Sequence, residues 1–287
     1  MSWLEAIFLG IVQGVTEFLP VSSSGHLVLF QSIFDPNAAP NDAKEIFFDG
    51  VLHLGTLLAV LLYFWKEIRH SFSHILVKDM PGETSETWPS TIRQLFYLMV
   101  LVGIASLPAA LTVLYKSEEI KKSFKQPGMV AFNFIILGAV LIITGYLKPG
   151  TTTGPTMKWW QALAMGVAQG CAAVMRGLSR SGSTLAVALL VGLERSWAVR
   201  FSFMMSVVAS LGLGGSGIWK ALKDEHRSEW LTSEFLLKTI VATLVSAIVA
   251  YLTITPLIGL VKRAKLWVFG VYVWIVATGY FAWHFLK

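Results

Sequence analysis

Long apolar runs alternating with short polar ones dominate this chain. Six stretches, near 48–66, 93–115, 129–148, 197–220, 235–261 and 266–285, carry few internal charges. Each approaches the roughly 20 apolar residues that a helix needs to cross a hydrocarbon core, so each is predicted to be a transmembrane helix. The connectors are polar. Lys66 to Arg93 holds Pro81-Gly82, Lys116 to Gly128 holds Glu118, Glu119, Lys121 and Lys122, and Lys220 to Glu234 is likewise charged. These are predicted to be loops. Trp65, Trp159, Trp160, Trp219, Trp267 and Trp283 fall near the ends of apolar runs, where an indole can bury its ring and keep its N–H wet.

Two further apolar regions, about 2–34 and 157–195, are each broken midway by polar residues. The first break is Pro20-Val21-Ser22-Ser23-Ser24-Gly25-His26 and the second is Arg176-Gly177-Leu178-Ser179-Arg180-Ser181-Gly182-Ser183-Thr184. Neither half is long enough to span. Irregular backbone at membrane depth persists only where protein or water satisfies its polar groups, so both regions are predicted to be re-entrant helix pairs with polar tips.

The two interruptions resemble each other. Gly10-Ile11-Val12-Gln13-Gly14 recurs as Gly166-Val167-Ala168-Gln169-Gly170, and Ser22-Ser23-Ser24-Gly25 recurs as Ser179-Arg180-Ser181-Gly182. Each copy precedes three spans, which divides one membrane domain into residues 1–150 and 151–287. An odd number of crossings inverts the second copy, so the two tips can approach near the midplane. The expected fold is an all-α integral membrane protein with six transmembrane helices plus two re-entrant helix pairs arranged as an inverted-topology repeat.

Composition agrees. The chain is 55% hydrophobic and 14% charged, with a mean hydropathy of +0.64, against about 25% charged residues in soluble domains. An ordinary water-soluble enzyme and a disordered tail are both poor readings of such a chain. The net charge of +6 comes from Lys and Arg scattered between apolar runs, as expected beside anionic headgroups, so membrane lipids rather than nucleic acid are the expected partners. Cys171, the single cysteine, leaves no disulfide framework and no Cys-rich zinc site. The opening Met1-Ser2-Trp3-Leu4-Glu5 lacks a basic n-region, so the first apolar segment is expected to be retained. Lys and Arg divide almost evenly between the two faces, and the side of Lys66, Lys148 and Lys262 is the expected cytoplasmic one.

Intramembrane ionisable residues carry the candidate chemistry. Arg180 has hydroxyls on both sides, in Ser179-Arg180-Ser181-Gly182-Ser183-Thr184. A planar charged fork among Ser and Thr donors suits phosphate oxygens, and its competing readings are a snorkelling Arg or an ion pair with Glu17. Gln13 and Glu17, at i and i+4, share a helix face and present oxygen ligands suited to Mg²⁺ or Ca²⁺; alternatively Glu17 is the counter-ion of Arg180. Ser22, Ser23 and Ser24 offer hydroxyls and N–H groups at a turn that can open a half-helix, and Gly25 permits close backbone approach. Packing and N-capping explain such a run equally well. His26 is a candidate acid or base, and a hydrogen-bonded core residue is its alternative. His53, one turn after Asp49, reads as a core histidine or as a supporting partner of the site.

At these residues the chain resembles the bacterial undecaprenyl-diphosphate phosphatase family associated with bacitracin resistance. The resemblance covers nearly the whole chain through Gln13-x-x-x-Glu17, Pro20-x-Ser22-Ser23-Ser24-Gly25-His26, Leu52-His53-Leu54-Gly55-Thr56, Gly177-x-Ser179-Arg180-Ser181-Gly182-x-Thr184 and Phe201-Ser202-Phe203. It implies a multi-pass enzyme of the bacterial plasma membrane that hydrolyses undecaprenyl diphosphate and recycles the lipid carrier of cell-wall synthesis, with its pocket facing the periplasm. By position it implies Ser23 as nucleophile, His26 as acid or base, and Glu17 with Gln13 as the acid and metal side. Arg180, Ser179, Ser181 and Thr184 would bind the diphosphate of a polyprenyl lipid, with Ser22, Ser24, Gly25 and Arg176 as further substrate-binding candidates. A homodimer is a candidate assembly. The family usually has Pro-Gly where this chain has Arg176-Gly177, which removes a fixed φ and adds a charge, so Arg176 either assists phosphate binding or loosens the turn. Another lipid phosphatase family with Ser-Gly-His elements needs a His and an Asp where this chain has Ala186 and Leu190. The rival class of function is a transporter or flippase for an anionic or phosphorylated lipid, because broken helices in inverted repeats also serve transport.

Overall fold

The structure, a computed structural model, describes residues 1–34, 43–69, 92–115, 126–148 and 150–286. Among them it is helical throughout, apart from a 3₁₀ turn and an isolated bridge between Thr152 and Leu193. The first half contains α1 (Trp3–Thr16), α2 (Ser23–Phe34), α3 (Ala43–Tyr63), α4 (Ile92–Tyr115) and α5 (Pro127–Gly145). The second contains α6 (Trp159–Val174), α7 (Arg180–Leu190), α8 (Arg195–Lys223), α9 (Ser233–Lys262) and α10 (Leu266–Leu286).

Six of these helices, α3, α4, α5, α8, α9 and α10, are long and apolar enough to cross a membrane. The other four have 14, 12, 16 and 11 residues. At about 1.5 Å per residue they reach roughly 16 to 24 Å, short of the ~30 Å hydrocarbon core. The six expected spans are therefore present, with shifted ends. Helix α3 starts at Ala43 because Lys44 and Glu45 extend it ahead of its apolar part. The connectors from Lys66 to Arg93 and from Lys116 to Gly128 lie mostly outside the described residues. The third, expected to be a loop, contains a helical turn at Arg227–Trp230. Asp224 pins it by accepting the Trp230 indole N–H at 2.7 Å and the His226 amide at 3.1 Å.

Local signals start several helices. Ser2 and Glu5 form a reciprocal capping box on α1. Glu194 accepts from the Trp197 amide at 2.8 Å and Thr232 from the Phe235 amide at 3.2 Å, capping α8 and α9.

Packing links the halves. Helix α1 lies on α9 and α6 on α4, while α3 crosses α8 and α5 crosses α10. Lipid offers no hydrophobic drive to association, so close backbone approach at small residues has to supply it. A β-carbon at Gly10 would lie 2.5 Å from the carbonyl oxygen of Ala242, and one at Gly166 would lie 2.5 Å from that of Ala105. At the α5–α10 crossing, a β-carbon at Gly138 would lie 2.8 Å from the Gly270 oxygen, and one at Gly270 would lie 2.7 Å from the Gly138 oxygen. Inside, Phe134, Trp197 and Phe201 are fully buried, whereas Leu114, Ile143, Ile248 and Leu252 are exposed on the outer surface. That apolar exterior is what a lipid-facing surface requires.

Candidate active site

Helix α1 stops at Thr16 with Glu17 as its C-cap, and Pro20 prevents the helix from continuing. The chain then turns through Ser22, whose φ of 70° is unusual for a residue with a side chain. The Ser22 hydroxyl accepts from the Gly25 amide at 3.3 Å, and α2 begins at Ser23. The second half repeats this construction. Ser179 has φ 53° and ψ 110°, its hydroxyl accepts from the Gly182 amide at 3.0 Å, and α7 begins at Arg180. Ser23 and Arg180 are thus the first residues of two helices whose N-termini, the positive ends of their dipoles, converge. Ser181 ties the tips together by donating to the Leu19 carbonyl at 2.9 Å. Gly25 faces Gly177 so closely that a β-carbon on Gly25 would lie 3.1 Å from the Gly177 Cα.

The Glu17 carboxylate is the centre of the site and is 3% exposed. Its Oε2 accepts from Ser23 Oγ at 2.7 Å and from Gln13 Nε2 at 2.9 Å. Its Oε1 is paired with Arg180 Nη2. Arg180 is further fixed by donating Nη1 to the Ser206 carbonyl at 3.2 Å. Two of its five N–H groups are thereby used, and among the described residues the other three have no acceptor. The pairing with Glu17, one of the two competing readings of Arg180, is therefore present without exhausting the guanidinium.

His53 also lies against the site and is buried there. Its Nδ1–H donates to the Asp49 carbonyl at 2.7 Å, and Nε2 lies 3.5 Å from Glu17 Oε2. His26, expected as acid or base next to Ser23, has both ring nitrogens engaged elsewhere. Nδ1–H donates to the Ser22 carbonyl at 2.8 Å, which leaves Nε2 to accept from the Tyr272 hydroxyl at 3.0 Å. The two rings stack with an interplanar angle of 10°.

The hydroxyls expected to face phosphate are mostly consumed in building the second tip. Ser179 caps α7, and its Oγ lies 3.2 Å from that of Ser181. Thr184 Oγ1 donates back to the Arg180 carbonyl at 2.9 Å and pairs with the Ser202 hydroxyl at 2.8 Å. A turn with positive φ needs these bonds to hold it. Ser24 is half-buried. Arg176 lies at the edge of the site, with Nη1 4.0 Å from Asp49 Oδ2.

No group of three or more His, Cys, Asp or Glu side chains able to hold a metal ion occurs among the described residues. The donor set does fit a hard cation that keeps most of its ligands from water and phosphate. Gln13 Oε1 is buried without a partner among the described residues, and its amide nitrogen reaches the Glu17 carboxylate that also holds Ser23.

Next to this polar centre is an apolar cavity of about 600 Å³ between α3, α4 and α8, lined by Val60, Phe64, Leu98, Phe203 and Val207 among others. Phe203 packs edge-on against Phe18, at 5.2 Å between ring centroids, beside Glu17. Val207 follows Ser206, the residue that holds Arg180. Leu61 and Met99 carry the lining out to the surface.

Tyr272, the Ser206 carbonyl and Asn133, which donates to the Arg176 carbonyl at 2.7 Å, lie outside the sequence reading. An aromatic or a backbone oxygen inside an apolar span carries no local signal. Asn133 is polar within such a span and could have been singled out on that ground.

The family model described as "Bacitracin resistance protein BacA" matches residues 6–279. The chain is 37% identical over 281 residues to undecaprenyl-diphosphatase 1 of Shouchella clausii, covering 96% of this chain and 95% of that protein. It is 32% identical to the undecaprenyl-diphosphatase of Desulfatibacillum aliphaticivorans, covering 97% of each chain. It is 34% identical to that of Syntrophotalea carbinolica, covering 98% of this chain and 99% of that protein.

Proposed function

The chain belongs to the bacitracin resistance protein BacA family, and from that membership we propose that it hydrolyses undecaprenyl diphosphate to undecaprenyl phosphate and inorganic phosphate. The reaction returns the lipid carrier to cell-wall synthesis and confers bacitracin resistance. The observation that carries this reading is the Ser23 hydroxyl donating to Glu17 Oε2 at 2.7 Å while Arg180 holds the other carboxylate oxygen. A serine on a carboxylate base, at the meeting point of two helix N-termini and a guanidinium, is suited to phosphoryl transfer.

Ser23 Oγ attacks the terminal phosphorus as its proton passes to Glu17 Oε2. The anhydride P–O bond breaks, undecaprenyl phosphate departs, and Glu17 hands the proton to it. Water then attacks the phosphoserine, Glu17 takes the water proton, and Ser23 Oγ is reprotonated as inorganic phosphate leaves. Arg180 spends its three remaining N–H groups on the phosphoryl oxygens, where charge develops. His26, backed by Tyr272, steadies the Ser22 turn that presents Ser23. Gln13 and Glu17 would hold a divalent cation, Mg²⁺ or Ca²⁺, which when bound would help neutralise the phosphate oxygens.

The prenyl tail occupies the apolar cavity between α3, α4 and α8, which adjoins the polar centre and opens at the lipid-facing surface. The two halves form an inverted repeat. This is supported by the exchanged packing of α1 on α9 and α6 on α4, by the two crossings that each join equivalent helices, and by the matched serine turns. The helix pairs α1–α2 and α6–α7 are re-entrant, and their tips open to the periplasmic face of the plasma membrane.

The experiment is phosphate release from undecaprenyl diphosphate by purified protein in detergent micelles, where no gradient exists and transport has no meaning. Turnover that falls by about 100-fold or more in Arg180→Ala supports the phosphatase. Absence of release by the unaltered protein, with lipid flux in liposomes, supports the carrier.

A further inference from the structure

We infer that Arg176 is a second phosphate anchor, which grips the lipid-linked phosphate of the diphosphate while Arg180 grips the terminal one. This rests on the phosphatase reading and names the feature by which the site selects a diphosphate headgroup over a monophosphate.

The backbone at Arg176 is fixed beside the catalytic tip. Its carbonyl accepts from Asn133 of α5 at 2.7 Å. The following residue, Gly177, has φ 103° and would contact any β-carbon added at Gly25. That position is two residues from Ser23, so the side chain of Arg176 starts at the junction of the two tips.

The guanidinium is held but not hydrogen-bonded. Its one charged neighbour among the described residues is Asp49, with Nη1 4.0 Å from Oδ2, which is an ion pair too long to be a hydrogen bond. Asp49 is itself engaged by Gln31, whose Nε2 donates to Oδ1 at 3.4 Å. None of the five N–H groups of Arg176 has an acceptor among the described residues, and its side chain is 24% exposed against 18% for Arg180. A guanidinium at membrane depth with unspent donors is suited to receive an anion.

The spacing also fits. His53 ties the two ion pairs to one helix, with Nδ1–H on the Asp49 carbonyl and Nε2 at 3.5 Å from Glu17. Asp49 and His53 are four residues apart on α3, about 6 Å along its axis. The two ion pairs, Arg176 with Asp49 and Arg180 with the Glu17 that His53 faces, thus meet α3 at neighbouring levels, an arrangement suited to two linked phosphates. Arg180 lies on the phosphorus that Ser23 attacks, which leaves Arg176 to the phosphate that departs with the lipid. That phosphate gains charge as the anhydride bond breaks, so the same contact also stabilises the leaving group.

The test is direct equilibrium binding of two non-hydrolysable prenyl lipids of equal tail length, a methylenediphosphonate and a monophosphonate, to the unaltered protein and to Arg176→Met, Arg176→Lys and Arg180→Met. Losing one charge-assisted anchor is expected to weaken the diphosphonate by about 10- to 100-fold in Arg176→Met. The monophosphonate, held at Arg180, should change by less than about threefold. Arg176→Lys should fall between, and Arg180→Met should weaken both lipids. Equal weakening of both by Arg176→Met, or no weakening of either, overturns the proposal. If the unaltered protein binds neither lipid, the phosphatase reading itself fails, and that result is distinct from the other two.

Discussion

Ser23 and Arg180 take the same place, the first residue of a half-helix that follows a serine of positive φ, and they meet on opposite oxygens of the Glu17 carboxylate. Only Ser23, of the two, can be a nucleophile, and only Arg180 can hold negative charge permanently. A duplicated local structure has thus been divided into two chemical roles around one shared partner.

His53 is a positioning residue for Glu17. His53→Leu removes the ring that lies 3.5 Å from Oε2 and leaves the carboxylate free to shift between Ser23 and Arg180. Small displacements of a reacting group are expensive, so kcat should drop by about 10- to 100-fold while KM changes little. Steady-state phosphate release measures both constants, and a change confined to KM contradicts the assignment.

Ser179 combines a strained backbone with a cap on α7. Ser179→Ala keeps the strain and loses the cap, which costs about 1 kcal/mol, whereas glycine costs only a few tenths as a cap and relieves the positive φ. Thermal unfolding in one detergent should therefore rank Ser179→Gly above Ser179→Ala. The reverse order would mean that the turn is not strained in the protein.

Val207 lines the apolar cavity one residue after Ser206. Val207→Trp should fill the part of that cavity nearest to Arg180, raise KM for the long prenyl diphosphate by about tenfold, and spare a substrate with a short tail. Comparing the two substrates separates lost tail binding from damage to the polar site, which would depress both.

Much of this was legible in the sequence because the signals are local. The six spans follow from uninterrupted apolar length, and the two tips from polar residues inside apolar regions. The likeness of Ser22-Ser23-Ser24-Gly25 to Ser179-Arg180-Ser181-Gly182 anticipated two equivalent turns. The illegible parts are contacts between distant elements. That His53 reaches Glu17 depends on how α3 packs, and that Tyr272 caps His26 depends on the position of α10. Thr184 shows a different limit, because its hydroxyl could face a ligand or bond back to the preceding turn, and only the backbone geometry decides. The place of Arg176 depended likewise on Asp49 from another helix.

The most direct test of the central claim is acid-quenched single turnover of undecaprenyl diphosphate, with the protein digested and residue 23 analysed by mass spectrometry. The account predicts a transient phosphate on Ser23 and turnover reduced by about 100-fold or more in Ser23→Ala. Near-normal turnover by Ser23→Ala, with no phosphate on residue 23 at any time in the unaltered protein, would contradict it.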